Sequence, residues 1–435
     1  MKLAIFTTLG IFLFVAICRP QDSKQSMDDI SKRYVKLVLS VGEYDPNYVD
    51  AYYGPEKWQE EAKAEHLSLD QIHESAQSLL TGVASIPVSS DSMIQLRHQY
   101  LAKQLQALSA RVDMLRGKKF TFDEESKALY DAVSPSYPDE HYRAILKQIE
   151  TLLPGTGTVQ SRYETYRQQF ILPKDKLDPI FQAAIKECKK RTKEHLQLPE
   201  NEDFKLEYVT GKPWSGYNWY KGNYQSLIQV NTDLPITVER AVDLGAHEGY
   251  PGHHVYNVLL EQHLVKERGW MEITVYPLYC PQSLIAEGTA NFGIQVAFPG
   301  KQRVEFEKTV LFPLAGINPK LADPYYALHD LMTQLAYAPT DAARRYLDGK
   351  ITKEQAVKWL TEFGLMTPEQ ASKRMSFIEQ YRSYIINYSL GQDLVKKYIE
   401  SQGGTADHPE KRWEVFGRLL SSPKLPADLG IQTKP

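Results

Sequence analysis

A cluster of histidines around one glutamate has the residue types of a zinc centre. Residues 246–254 read Ala-His-Glu-Gly-Tyr-Pro-Gly-His-His. Two histidines and a distant acid make a three-ligand zinc site that leaves one position open for water or substrate. A glutamate directly after the first histidine stands where helical zinc hydrolases keep their general base. The segment therefore predicts a zinc hydrolase with His247 as a ligand and Glu248 as the base.

A second acid lies downstream in an apolar segment. Residues 283–292 read Ser-Leu-Ile-Ala-Glu-Gly-Thr-Ala-Asn-Phe, with Glu287 as the only charge. An ionised carboxylate among such neighbours needs a partner, and zinc would supply it. The alternative is a solvated acid on a helix face. Asn291, one helical turn later, and Asp243, one turn before His247, could orient a ligand.

The spacing of the histidines excludes a regular helix through both ligands. Zinc-binding helices normally present histidines four residues apart, but here that position is Pro251. His253, six residues after His247, would be about 9 Å further along a regular helix. A bulged turn over residues 250–252 would return it beside His247, because proline lacks a donor and glycine permits unusual dihedral angles. The alternative is a polar turn at a helix start that binds no metal.

Three segments of the chain resemble a known family. Residues 247–254 resemble the motif of the bacterial family called domain of unknown function 885. Residues 287–290 are similar to its second segment, although Thr289 stands where the family usually has tryptophan. Residues 49–55, Val-Asp-Ala-Tyr-Tyr-Gly-Pro, resemble a subset of members. The resemblance runs over residues 30–400. The family looks like a remote branch of the glutamate-zincins, whose helical peptidases, such as carboxypeptidase Taq and angiotensin-converting enzyme, have deep clefts.

This resemblance implies a role for each motif residue. It implies that His247, His253 and Glu287 are zinc ligands and that Glu248 is the base. His254 would then either support a ligand from behind or contact the substrate. The choice between His253 and His254 as the second ligand stays open. The chain departs from the family at residues 381–392, which lack the Pro-Gly-Gln that many members carry before a tyrosine. That departure concerns substrate specificity more than metal binding.

Further polar residues are candidates for substrate contact. Zinc peptidases need a donor for the oxyanion, and Tyr388 and Tyr384 are candidates by position. Tyr388 also matches the family's Tyr-x-x-Gly. Arg382 could hold a substrate carboxylate through two hydrogen bonds, as an exopeptidase requires. His329 is another candidate donor. The alternative for each is a packed aromatic ring or a surface charge.

The pattern along the chain predicts a mostly α protein, a large helical zincin-like fold with a deep central cleft. A small β hairpin or sheet lies beside the metal helix, which begins near Thr237. We expect a helical region over 21–200 and a metal-site region over 201–435 to form one continuous unit. Apolar spacing predicts helices at 28–42, 69–83, 90–118, 123–132, 139–153, 161–172, 177–196 and 411–420. Alternation predicts strands at 204–209 and 224–231. An edge strand there would either pair with an extended peptide or only cover the core.

The amino terminus has the pattern of a secretory leader. A basic start, an apolar run from Leu3 to Cys18 and a polar turn predict a signal peptide over residues 1–20, with an uncleaved anchor as the alternative. We therefore expect a secreted or periplasmic protein without a membrane span after leader removal. Lipoprotein anchoring at Cys18 is not expected, because Ile17 is bulky where such signals prefer a small residue. Cys188 and Cys280 could pair or remain free thiols.

The sequence as a whole favours an enzyme acting on short peptides. A net charge of −3 over 435 residues gives no footprint for nucleic acid or an anionic membrane. We expect a secreted zinc peptidase of exopeptidase or dipeptidase type. Two alternatives remain: a metal-dependent amidase acting on cell-wall or small-molecule amides, and a non-catalytic peptide-binding protein on the same fold.

Overall fold

The computed structural model describes residues 21–430, with side chains from Met27 onward. Its 67% helix and 7% strand confirm the predicted mostly α fold with a small sheet. The helices in this range are α1 Gln21–Gly42, α2 Glu56–Glu65, α3 Leu69–Ser85, α4 Ser92–Leu115, α5 Phe122–Tyr130, α6 Asp139–Leu152, α7 Val159–Arg167, α8 Leu177–His195, α9 Arg240–Leu244, α10 His253–Leu260, α11 Pro281–Ala297, α12 Gln302–Phe306, α13 Phe312–Ala315, α14 Ala322–Thr333, α15 Ala338–Leu347, α16 Lys353–Phe363, α17 Pro368–Tyr381, α18 Ile386–Ser401 and α19 Pro409–Leu420. The strands are β1 Val49–Tyr52, β2 Asp203–Val209, β3 Gly216–Gly222, β4 Gln225–Asn231 and β5 Val275–Pro277.

Local capping explains where several of these helices begin. A serine or threonine stands before α3, α5, α16 and α17, and its side chain accepts a hydrogen bond from the backbone three residues later. The glutamine or glutamate at that later position bonds back to the cap, so that two otherwise unpaired backbone donors are satisfied at each start.

The small sheet has three strands in the order β2-β4-β3. Both predicted strands are present, β2 and β4, but they pair in parallel. The hairpin is formed by β3 and β4. Strand β3 was not predicted, because the adjacent Trp219 and Tyr220 break the alternation of its residues. Asn223 and Tyr224 turn between them with φ of 53° and 64°, the left-handed geometry of tight hairpins.

A second pairing joins the amino-terminal region to the site region. Strand β1 pairs antiparallel with β5, more than two hundred residues later in the chain. Strand β1 was not among the predicted strands, because a strand that depends on a distant partner carries little local signal. Both pairings border the cavity described below.

One buried core includes residues from Met27 to Leu429, so the regions 21–200 and 201–430 share it. Helix α11 lies in its interior and crosses α18 at two glycines. A Cβ on Gly288 would lie 2.4 Å from the Gly391 carbonyl oxygen, and a Cβ on Gly391 would lie 2.6 Å from the Leu284 oxygen. The two backbones therefore touch, and this contact holds Glu287 at a fixed depth.

The leader prediction lies outside the described residues. Within residues 21–430, none of the helices is both long and apolar enough to cross a membrane.

We expect Gly288→Ala to lower the free energy of unfolding by about 1–3 kcal/mol or more, because the added methyl group meets backbone that cannot rotate away. Gly82→Ala in α3 is the matched control, since its nearest neighbour is the flexible end of Ile30 at 3.3 Å. That change should be neutral or slightly stabilising. Urea unfolding of both variants makes the comparison, and equal stabilities would contradict the backbone contact.

Candidate metal centre

The chain reverses direction between the two histidines of the motif. Helix α9 continues as one wide π turn over Gly245–Gly249, which carries His247 and Glu248. The chain then loops through residues 250–252, and α10 begins at His253. The structure thus has the bulged turn over residues 250–252 that the spacing required.

Gly252 makes this reversal possible. Its φ is −80° and its ψ is −134°. A Cβ at this position would lie 1.9 Å from the His247 carbonyl oxygen, and its amide donates to the Ala246 oxygen at 2.9 Å. Residues with a side chain cannot approach the preceding turn so closely. The glycine therefore places His253 beside His247.

Three potential ligand atoms converge beside this turn. His247 Nε2 lies 3.1 Å from His253 Nε2 and 3.2 Å from Glu287 Oε2. His253 Nε2 lies 3.7 Å from the same oxygen, and all three atoms lie within 4.8 Å of one another. Glu287 Oε2 is buried and accepts no hydrogen bond from residues 27–430. Such an atom costs about 1–3 kcal/mol or more if left unpaired, so the arrangement fits a cation better than a hydrogen-bonded core.

Two neighbouring side chains orient the converging atoms. Asn291 Oδ1 lies 3.0 Å from His247 Nδ1, and Asn291 Nδ2 donates to the Tyr388 carbonyl at 3.2 Å. The amide is therefore fixed with its oxygen toward the ring, which places the proton on Nδ1 and leaves Nε2 free to bind a metal. The Tyr384 hydroxyl donates to Glu287 Oε1 at 2.6 Å. Both residues stand directly behind the cluster.

The cluster attracts positive charge. Burial acts to raise the pKa of Glu287, but the two imidazoles outweigh it and hold that pKa well below its ordinary value. Burial acts to lower the pKa of His253, but Glu287 outweighs it and raises that pKa to about 9. The buried carboxylate thus favours a positive charge beside it.

Glu248 borders a deep cavity next to the cluster. Its side chain is 5% exposed, and a Cβ on Gly216 of β3 would lie 2.8 Å from its Oε1. Burial raises the pKa of Glu248, although His247 and His253 oppose the shift. The cavity has a volume of about 1720 Å³, which exceeds the few hundred cubic ångströms that most small ligands fill. A peptide several residues long would fit this space.

The structure corrects the expectation for His254. Its ring is fully buried, with Nε2 3.0 Å from Glu202 Oε2 and Nδ1 2.9 Å from the Ser226 hydroxyl. Consecutive residues at a helix start point in different directions, so His254 faces the sheet while His253 faces the cavity. A substrate contact by His254 is therefore wrong.

The expectation for Arg382 is also wrong. Its Nε donates to Glu125 Oε2 at 2.7 Å, and the side chain does not line the cavity. The partner lies in α5, far away in sequence, and no local pattern announces it. His329 and Tyr388 do line the cavity, whereas the Tyr384 hydroxyl is committed to Glu287. Asp243 pairs with Arg303 at 2.8 Å and does not orient a ligand.

Three residues of the cavity wall, Asp50, Tyr217 and Arg374, were not predicted from the sequence. Asp50 of β1 accepts a hydrogen bond from the Tyr217 hydroxyl, and burial raises its pKa to about 6. Its segment, residues 49–55, carried part of the family resemblance, which was the available signal. Arg374 of α17 also lines the cavity, and its position in an ordinary amphipathic helix gave no signal.

Comparison with known proteins shows a shared fold. No family model matches the chain, and no curated protein matches it. A solved structure described as a "putative lipoprotein" from Colwellia psychrerythraea is similar, with a TM-score of 0.52 and 15% identity over 83% of this chain. The chain covers 62% of that protein, which is less than two thirds of its length. A second one, described as a "putative lipoprotein of unknown function" from Shewanella oneidensis, has a TM-score of 0.41 and 12% identity over 93% of this chain and 79% of its own.

A buried carboxylate behind the motif generates a stability prediction. Burial acts to raise the pKa of Glu202, but hydrogen bonds from His254, Lys193 and Tyr250 outweigh it and lower the pKa from 4.5 to about 2. Because the folded pKa lies below the unfolded one, this carboxylate stabilises the fold above about pH 4.5, and the contribution is lost as the pH falls toward 2.

We expect Glu202→Gln to lower the free energy of unfolding by about 1–3 kcal/mol at pH 7. The difference from the wild type should narrow when urea unfolding is repeated between pH 5 and pH 3. Glu194→Gln, on the exposed surface of α8, should cost less than about 0.5 kcal/mol. A difference for Glu202→Gln that does not change with pH would show that packing, not charge, causes the loss.

Proposed function

We propose that this protein is an extracytoplasmic zinc-dependent hydrolase that cleaves short peptides. One observation carries the proposal: His247 Nε2, His253 Nε2 and the unpaired Glu287 Oε2 converge beside the buried Glu248. Two imidazoles and one carboxylate are a ligand set that zinc accepts, and His247, His253 and Glu287 would hold the ion. The predicted leader and the family resemblance supply the location and the reaction class.

The proposed mechanism assigns a task to each side chain. His247, His253 and Glu287 would hold the metal. A bound zinc ion would polarise the scissile carbonyl and acidify a water molecule. Glu248 would accept the proton of the attacking water and return it to the leaving amine, and burial raises its pKa in the direction that favours proton exchange.

Tyr388 is the favoured donor to the oxyanion. Its side chain lines the cavity, and its hydroxyl has no hydrogen-bond partner within residues 27–430. The Tyr384 hydroxyl already donates to Glu287, so Tyr384 is a positioning residue. The centroids of the two tyrosine rings lie 5.9 Å apart, but only the Tyr384 hydroxyl donates to Glu287.

The first test is metal content with matched histidine variants. The mature wild-type protein should bind about one zinc per chain, and His253→Ala should lose it. His329→Ala removes a cavity histidine outside the cluster and should keep it. Glu248→Gln should retain zinc but lose hydrolysis of a dipeptide panel. Wild-type protein that binds no zinc, or a Glu248→Gln variant with full activity, would overturn the proposal.

The two tyrosines separate ligand positioning from catalysis. Tyr384→Phe should weaken zinc affinity about 10–100-fold, because Glu287 loses its donor. Tyr388→Phe should keep zinc affinity and lower kcat about 100-fold or more, because the oxyanion loses its donor. Zinc titration and steady-state kinetics measure the two effects, and identical behaviour of the variants would contradict this division of roles.

A further inference from the structure

One arginine of the cavity wall has no acidic partner. The cavity is lined by Arg167, Arg240, Arg303, Arg374 and Arg412. Four of them lie within 4.0 Å of a carboxylate. Arg167 pairs with Glu164, Arg240 with Asp243, Arg303 with Asp243 and Glu307, and Arg412 with Glu400. Within residues 27–430, Arg374 has neither a carboxylate at that distance nor any hydrogen bond from its guanidinium. A partly buried cation in this state attracts an anion.

The neighbours of Arg374 increase this attraction. Burial lowers the pKa of Arg374, and the positive charge of Arg240 lowers it further. Arg240 is a second cation on the same cavity wall, and its own pair with Asp243 is long, at 3.3 Å. Two like charges facing one space repel each other unless an anion lies between them. Within residues 27–430, Arg374 has no carboxylate within 4.0 Å to act in this way.

Arg374 also lies on the metal-centre side of the cavity. Its guanidinium lies over the Phe377 ring, whose centroid is 6.1 Å from that of Tyr388. The Tyr388 ring in turn lies 5.9 Å from that of Tyr384, whose hydroxyl donates to Glu287. An anion held by Arg374 would therefore lie beside the proposed oxyanion donor and near the general base. The apolar ring of Phe377, 5.5 Å from the guanidinium, shields one side of it from water.

We propose that Arg374 binds the free carboxylate at the carboxyl terminus of the substrate. This inference rests on the proposed function and narrows it to removal of a carboxyl-terminal residue or cleavage of a dipeptide. A guanidinium presents two parallel N–H donors that match the two oxygens of a carboxylate. Arg374 would thus bind the substrate carboxylate that Arg382 was expected to bind.

The test compares a carboxylate with its amide. Acetyl-Ala-Ala and acetyl-Ala-Ala-amide are the probes, and both are neutral at the amino end. Arg374→Gln should raise KM for the free acid about 10–100-fold with a smaller change in kcat, and should leave the amide unaffected. Arg374→Lys should recover part of the loss. Lys373→Gln is the matched control, because Lys373 is the adjacent cation and is already paired with Asp233 at 2.9 Å.

A binding arm separates this inference from the proposed function. Calorimetry with the Glu248→Gln protein measures the affinity for both probes, with and without Arg374→Gln, and needs no turnover. A preference for the acid that disappears in the double variant supports the inference even if the wild type hydrolyses neither probe, an outcome that would overturn only the peptidase proposal. Equal affinity of the double variant and its parent for the acid would overturn the role of Arg374, whatever the activity.

Discussion

The close approach of Gly252 to the carbonyl of His247 is the constraint on which the rest of the site depends. The two histidines are six residues apart, and an α-helix would separate them by more than a shared ligand can bridge. The wide turn at Gly245–Gly249 and the return at Gly252 remove that separation. The other groups of the cluster are arranged around the two rings. Glu287 and Asn291 contact His247, and Tyr384 donates to Glu287.

Two acid–histidine layers stabilise this reversal. In front, Glu287 lies against His247 and His253 at the cavity. Behind, Glu202 bonds to His254 and Tyr250 and fixes the start of α10 from the opposite side. Glu202 has basic partners in Lys193 and His254, so its charge is not isolated in the core. Of the two adjacent histidines, His254 thus contacts Glu202 in the core, whereas His253 contacts Glu287 at the cavity.

The sequence predicted those parts of the structure that depend on local pattern. Most of the predicted helices, strands β2 and β4, the turn at residues 250–252 and the convergence of His247 with Glu287 follow from spacing or from chemical need. The predicted helix over 161–172 ends earlier, at Arg167, and helix α2 was not predicted. The pairing of β1 with β5, the partner of Arg382 and the direction of His254 do not follow from local pattern, because each depends on a residue distant in sequence. Arg374 is the clearest case, since what distinguishes it is the absence of a carboxylate partner within residues 27–430, and only a three-dimensional structure can show that.

The pairing of β1 with β5 also bears on how the molecule folds. Asp50 and Tyr388 border one cavity although nearly the whole chain lies between them. Closing so long a loop is entropically costly, and contacts of this kind form late and slow the folding of a domain. The cavity walls therefore come together only when both ends of the chain have joined the core. A chain interrupted before α18 would hold both motif histidines and Glu287 without the wall that faces them, so proteolysis within the last third would destroy the site as a unit.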